Sequence, residues 1–463
     1  MFKKERKYWI TALAILIILW IATLKFYKGI ANDKLYKNLE LFNQVLSLVQ
    51  ETYVEEPDPQ KLIYGAIDGM LASLGDPYTR FMREESYNEL KVETEGKFGG
   101  AGFVITIKND NLTIIAPMAG TPAEKAGLLP NDIILKIDDE PTKGMDLNTA
   151  VSKIRGTPGT KVKLTIMRDE FKEPKDFIIT REIINVKSVF SKEIDFKNKK
   201  IGYIRIVNFA EDTPSELEKI LKNYEDSKID GIVLDLRNNP GGLLYTAWKV
   251  SDLFLDSGVI VSTIGRVHEQ NNIYRASSIS YCNNVPMVVL INEGSASASE
   301  IVAGALRDNK RAIVVGEKSF GKGVVQTVRE LGNNLAVAIT TARYYTPSGV
   351  CIDKEGIHPD IEVKTPKLKK NEIEQAEKIL KNNYIEKFLQ KNKNFSELPN
   401  EKKVELLNSL VKELNSEGID ADYNLVRRLV KSKINETKVN EAVVDLEDDV
   451  QLKKAVEVVT LGK

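Results

Sequence analysis

From Lys200 to about Lys364 the chain alternates short apolar runs with stretches of helical period, and no other feature restricts its fold as much. Ile201–Ile206, Gly231–Leu236, Met287–Ile291, Ala312–Val315, Val324–Val328 and Leu335–Thr341 read as strands. Ser215–Tyr224, Leu244–Phe254 and about Ala298–Arg307 read as helices. Such alternation predicts an α/β layer architecture. The buried strand Gly231–Leu236 runs into Arg237-Asn238-Asn239-Pro240-Gly241-Gly242, and Met287–Ile291 runs toward Gly294-Ser295-Ala296-Ser297-Ala298-Ser299-Glu300. Both turns fall at strand C-termini, where α/β folds place their sites.

At 463 residues the chain is too long for one core, so further domains are expected around this layer. Asp33 to Ser86 carries apolar residues at helical spacing, interrupted at Glu56-Pro57-Asp58-Pro59; these helices either pack on the body or serve as a dimerisation arm. A boundary follows near Thr94 to Gly99. Between Phe98 and about Arg168, β-rich runs at Phe103–Ile107, Leu112–Ile115, Ile133–Ile137 and Val162–Ile166 surround one helical stretch, Leu147–Ile154. Beyond Lys364 the sequence is highly charged and helical in period, with breaks at Glu397–Asn400 and near Gly418. A last helix, Asp448–Val458, places Leu452, Ala455 and Val456 on one face. This tail reads as a helical appendage with solvated faces.

Near the amino terminus, Tyr8 to Leu24 carries no charge and lies between Lys3, Lys4, Arg6 and Lys7 on one side and Lys25 and Lys28 on the other. About 17 to 25 apolar residues span a bilayer. The basic leading flank predicts an inside amino terminus with the remainder translocated, and the missing small-x-small site predicts an uncleaved signal anchor.

Composition narrows the chemistry. Lysine plus arginine equals aspartate plus glutamate at 66 each, so no global field favours nucleic acid. Only Cys282, Cys351, His268 and His358 are available as soft or imidazole ligands, which argues against a zinc site and against a serine–histidine–aspartate triad. A lysine can replace histidine as base when it is desolvated, because its ordinary pKa of about 10.4 must fall. Lys322 in Ser319-Phe320-Gly321-Lys322-Gly323 fits that need, with Phe320, Val324 and Val325 expected to form a dry pocket and Gln326 to orient the amine. Ser297 is the matching nucleophile, while Ser295 and Ser299 remain rivals. Taken singly, Lys322 reads better as a surface lysine in a glycine turn, and Ser297 reads also as a helix cap; their co-occurrence favours chemistry. The helix after Ser297 offers the Ala298 N–H to an oxyanion, and the Gly241-Gly242 turn offers a second donor.

Two resemblances sharpen this reading. Gly99-Gly100-Ala101-Gly102-Phe103, with Ala123–Leu128 and Arg155-Gly156, resembles a PDZ domain, in which a glycine-rich loop receives a terminal carboxylate and the peptide adds a strand. Asp235–Gly242, Ser295–Glu300, Ser319–Thr327, Pro347–Gly349 and Gly356–Asp360 together resemble the carboxyl-terminal processing peptidases, or tail-specific proteases. That resemblance covers roughly Leu35 to Lys364. Its spacing of 25 positions between nucleophile and lysine selects Ser297 and Lys322. It implies Gln326 as third catalytic member, Ala298 and Gly242 as oxyanion donors, Gly100, Ala101, Gly102 and Phe103 as peptide-binding positions, and Arg155 as a sensor of PDZ occupancy.

The implied organisation is multidomain α/β: a signal anchor (1–31) as transmembrane helix, a helical arm (32–95), a PDZ domain (96–170), a crotonase- or ClpP-like protease core (171–365) and a helical extension (366–463). The implied protein is a membrane-anchored, extracytoplasmic bacterial serine endopeptidase without metal or cofactor. It acts on proteins with free C-terminal tails and commonly forms a homodimer. A PDZ scaffold that binds tails without cutting, and a crotonase-like acyl-transfer enzyme, are the competing readings. The intact Ser297, Lys322 and Gln326 set weighs against the first, and the attached PDZ-like segment against the second.

Overall fold

The structure, a computed structural model, describes residues 35–108, 110–168, 170–366, 368–436 and 442–461. The stretch Tyr8–Leu24 lies outside them, and among the described residues no helix is long and apolar enough to cross a membrane. The chain divides into two compact units at Phe81 and Met82. In the first, helices at 35–52 and Pro59–Ala72 flank the break that Pro57 and Pro59 impose. Asp58 caps the second helix by accepting the Gln60 N–H at 2.8 Å.

In the second unit, Phe103–Lys108, Asn111–Pro117, Ile133–Ile137, Lys161–Met167 and Lys175–Thr180 pair in that order as an antiparallel sheet. Leu112, Ile114, Ile134, Val162, Leu164 and Ile166 alternate inward, closing over Ala150 and Ile154 of the helix Leu147–Ile154. Arg181 secures the end of that helix by donating to the carbonyls of Lys153 and Ile154 at 2.7 and 2.9 Å.

The α/β layer follows. Val189–Phe196 pairs antiparallel with Lys199–Ile206; Gly231–Asp235, Met287–Ile291, Ile313–Gly316 and Ile361–Glu362 then extend the sheet in parallel. Alternation assigns the two faces. Ile204, Ile206, Ile232, Leu234, Val289 and Val314 pack on the helices Thr213–Ser227, Leu244–Asp252 and Ala298–Asp308. Ile201, Tyr203, Val233, Val288, Leu290 and Val315 pack on Leu452, Ala455, Val456 and Val459 of the helix Val450–Leu461. A sheet apolar on both faces requires cover on both. The last helix is therefore an integral layer, and the expected appendage with solvated faces does not describe it. The intervening helices Lys370–Lys381, Tyr384–Lys391, Asn400–Ser416 and Tyr423–Glu436 also build a core of their own around Phe388, Leu407, Leu414 and Leu425. A second sheet pairs Leu335–Tyr345 with both Val324–Gly332 and Val259–Gly265.

Candidate active site

The strand Met287–Ile291 feeds a tight loop that ends at Ser297, where φ is 53° and ψ is −110° before the helix Ala298–Asp308 begins. A non-glycine residue with such dihedrals is strained, and this strand–turn–helix geometry presents a side chain above the sheet. The Ser297 side chain makes no capping bond; its carbonyl takes the N–H groups of Glu300 and Ile301, both at 3.0 Å. The rival serines are committed elsewhere. Fully buried Ser295 donates to Leu236 O at 2.8 Å, and fully buried Ser299 to Asn239 O at 2.9 Å.

Those bonds tie the serine loop to the Gly241-Gly242 turn. Asn239 fixes the turn by donating to Ile206 O at 2.8 Å and accepting the Gly241 N–H at 2.9 Å. Gly241 and Gly242 have φ of 109° and 146°. A β-carbon at Gly241 would stand 2.8 Å from Ser297 Cβ and 3.0 Å from Ala298 N, and one at Gly242 only 2.3 Å from Phe209 O. Only glycine fits. The turn thus lies against Ser297 and the first amide of the helix.

Lys322 sits in the loop after Ile313–Gly316, and three successive amides dock that loop on the serine loop. Phe320 N donates to Ser295 O at 3.0 Å, Gly321 N to Glu300 Oε1 at 2.7 Å and Lys322 N to Glu300 Oε2 at 2.9 Å. The half-buried Lys322 Nζ donates to Gln326 Oε1 at 3.3 Å, across a bulge between Val325 and Gln326. Gly323 passes so close to the backbone of Ile352 and Asp353 that a β-carbon there would meet Asp353 N at 1.9 Å. Val324 is buried as expected, but Phe320 is 60% exposed and lines no dry pocket. Its backbone is held to Ser295 while its ring turns outward.

Two residues escaped the sequence reading. Glu300 is fully buried and accepts from Ser319 Oγ, Gly321 N, Ser297 N and Lys322 N between 2.6 and 2.9 Å. Burial pushes its pKa up, and these four donors oppose that push. The Ser297-x-x-Glu300 spacing at a helix start was the available signal. The buried phenol of Tyr344 is the other. Its backbone N–H donates to Gly323 O at 2.7 Å, and its hydroxyl interacts with the Ser297 side chain. Burial raises its pKa, Tyr274 adds to the rise and Ser297 offsets part of it, so it stays protonated at neutral pH.

In the β-rich unit, Ala101, Gly102, Phe103 and Ile105 line an apolar groove of about 430 Å³ together with Val151 and Ile154 of the facing helix. Gly100 precedes them and is buried. Arg155 borders this groove, 4.6 Å above the Phe98 ring, next to Lys187, Phe190 and Val207 of the α/β layer. Burial lowers its pKa against the opposing carboxylate of Glu89. Cys282 and Cys351 are unpaired thiols. Among the described residues the carboxylate cluster Asp445, Glu447 and Asp448 has a metal-like spacing, but Lys431 Nζ fills it at 2.6–3.1 Å.

An α/β layer with a strained serine, a glycine turn against the next amide and a lysine loop docked beside it defines a serine-type peptidase core. The comparisons agree. Residues 200–363 match peptidase family S41, residues 113–168 a PDZ domain, and residues 24–86 the activating protease CtpB N-terminal domain. A carboxy-terminal-processing protease of Bartonella bacilliformis is 47% identical over 338 residues, 72% of this chain and 76% of that protein. A carboxyl-terminal-processing protease of Synechocystis sp. is 41% identical over 339 residues, 72% and 79% of the two chains. Among solved structures, a photosystem II D1 C-terminal processing protease is 31% identical, covers 70% of this chain and 94% of its own, and has a TM-score of 0.42. The chain belongs to peptidase family S41, among the carboxyl-terminal-processing proteases.

Proposed function

We propose that this peptidase cleaves proteins with a Ser297–Lys322–Gln326 set after its PDZ domain has taken hold of their free C-terminal tail. The observation that carries the reading is the Lys322 Nζ bond to Gln326 at 3.3 Å in a loop whose backbone is fastened to the Ser297 loop. Ser297 Oγ attacks the scissile carbonyl as its proton passes to the neutral Lys322 amine, and Gln326 orients that amine without adding charge. The N–H groups of Ala298 and Gly242 receive the developing oxyanion. Collapse breaks the C–N bond, and the lysine ammonium returns its proton to the leaving amine. Water then hydrolyses the Ser297 ester by the same steps in reverse.

The tail's carboxylate is received by the Gly100–Phe103 backbone, and its last side chains enter the apolar groove beside Val151 and Ile154. Arg155, at the seam between groove and α/β layer, signals occupancy to the protease. The apolar Tyr8–Leu24 stretch with its basic leading flank supports an extracytoplasmic placement behind a membrane anchor, and exposed Leu39, Phe42, Val45 and Leu48 on the helix 35–52 are in keeping with a homodimer. Unstructured peptides with free or amidated C-termini test the reading. Cleavage is expected from wild type, with slower turnover of amidated peptides and none by Ser297→Ala or Lys322→Ala. Turnover by Lys322→Ala equal to wild type would refute the mechanism, and equal rates on both peptide forms the tail recognition. A lysine base also requires activity that climbs from neutral to mildly alkaline pH.

A further inference from the structure

The Glu300 side chain bonds to the backbones of both Ser297 and Lys322. It is the third residue of the helix Ala298–Asp308, so its carboxylate folds back over the helix start that Ser297 leads. One oxygen, Oε2, takes the Ser297 N–H at 2.8 Å and the Lys322 N–H at 2.9 Å. The other, Oε1, takes Gly321 N at 2.7 Å and the Ser319 hydroxyl at 2.6 Å. Four donors converging on two oxygens with no solvent exposure call for an ionised, acceptor-only carboxylate. Ser319 is itself braced from behind, since its hydroxyl accepts the Ile357 N–H at 2.6 Å.

We propose that Glu300 is a positioning residue for catalysis: its carboxylate sets the distance between nucleophile and base by holding both loops on a single oxygen, and it keeps Ser297 in its strained backbone conformation. This rests on the Ser297–Lys322 assignment above. The N–H of Ser297 has no helical acceptor because the residue stands outside the first turn, so the Glu300 bond replaces what the positive φ takes away. Glutamine cannot do the same. Its carbonyl oxygen serves one pair of donors, while its NH₂ turns two further donors against the other pair. The two loops then part at the site where their spacing governs rate, and a shift of about 1 Å costs about a hundredfold. Substrate binding is untouched, because the peptide groove is built from other residues.

Steady-state cleavage of an unstructured peptide, the rate of Ser297 labelling by a fluorophosphonate, and PDZ binding of a non-cleaved tail peptide are measured for wild type, Glu300→Gln, Glu300→Asp and Asp252→Asn. Asp252 serves as control, since it is a buried carboxylate at the end of the helix Leu244–Asp252 away from the Gly241-Gly242 turn, accepting from Ser277 N and Oγ. Expected for Glu300→Gln is a fall in kcat of about a hundredfold with KM within about twofold, slowed labelling and unchanged tail binding. Glu300→Asp, which keeps the charge but loses one methylene of reach, should fall about tenfold and remains informative if the glutamine variant does not fold. Asp252→Asn should melt lower than wild type yet turn over at its rate. A kcat for Glu300→Gln within threefold of wild type, or an equal loss in Asp252→Asn, overturns the inference. Full activity in Ser297→Ala would instead overturn the assignment beneath it.

Discussion

Arg237 grips Asp449 with two hydrogen bonds, 2.8 Å from Nη1 to Oδ1 and 2.7 Å from Nη2 to Oδ2, across 212 positions of sequence. Arg237 is the residue just before the Asn238–Gly242 turn, and Asp449 accepts the Leu452 N–H at 2.9 Å at the start of the last helix. Asp235 completes the cluster, taking Arg237 Nη2 at 2.6 Å and the Tyr203 hydroxyl at 2.8 Å. The helix that seals the far face of the sheet therefore also anchors the turn that faces Ser297.

Removing one end of this clamp leaves a mostly buried guanidinium short of acceptors. Asp449→Ala should lower stability by about 1–3 kcal/mol, the cost of an unsatisfied buried donor. Urea denaturation reads the loss, and a midpoint equal to wild type would show that Asp235 alone suffices for Arg237.

Gly242→Ala tests the turn more directly. Its φ of 146° and the 2.3 Å approach to Phe209 O leave no room for a β-carbon, so the turn must move away from Ala298. Loss of one oxyanion donor costs about a hundred- to a thousandfold in kcat. Turnover of an unstructured peptide should fall in that range while tail binding to the PDZ groove stays at the wild-type level.

Much of this architecture was legible in the sequence because local patterns carried it. Met287–Ile291 and Leu147–Ile154 form as read, and Ser297 and Lys322 stand in the loops their small neighbours announced. What escaped depends on distant partners. Val189–Phe196 carries exposed Ser191, Lys192 and Glu193 in its middle, without an apolar run or a period of two, and is a strand because Lys199–Ile206 pairs with it. The helix Val450–Leu461 reads as an amphipathic tail until the sheet face it covers is known. Glu300 looks like an ordinary member of a capping box, and its bonds to the lysine loop come from a segment about twenty positions onward. Phe320 turns out to solvent because Ser295 holds its backbone, which no periodicity encodes.

The covering role of the last helix has its own test. Leu452 is fully buried against the sheet, and Leu452→Ala should cost about 2–5 kcal/mol. A solvated appendage would lose almost nothing, so chemical denaturation separates the two directly.

Acid should release the same region. Burial opposes the charge on Asp235, but Arg237 outweighs it, with the Tyr203 hydroxyl assisting, and the carboxyl is held below its ordinary range. Because the folded value lies below the unfolded value of about 3.9, this stabilisation is complete above that pH and is lost as pH falls through the folded value. Circular dichroism across an acid titration should show wild type losing stability below about pH 4. In Asp235→Asn this component of the pH dependence should vanish, and a slope identical to wild type would assign the acid transition elsewhere.

The two thiols should behave differently toward an alkylating or disulfide reagent. Cys282 is 5% exposed, and burial, with the Glu225 carboxylate adding and Arg311 opposing, pushes its pKa up to about 11. The thiolate is the reactive form, so at pH 8 only about one part in a thousand is available, and that fraction is shielded by the helix Thr213–Ser227. Cys351 is only half-buried. Titration of native protein with an aromatic disulfide should modify Cys351 first, with Cys282 reacting only in urea. Cys351→Ser should then abolish the native reaction, and a persisting signal of full amplitude would show that Cys282 is reached through an opening of the core.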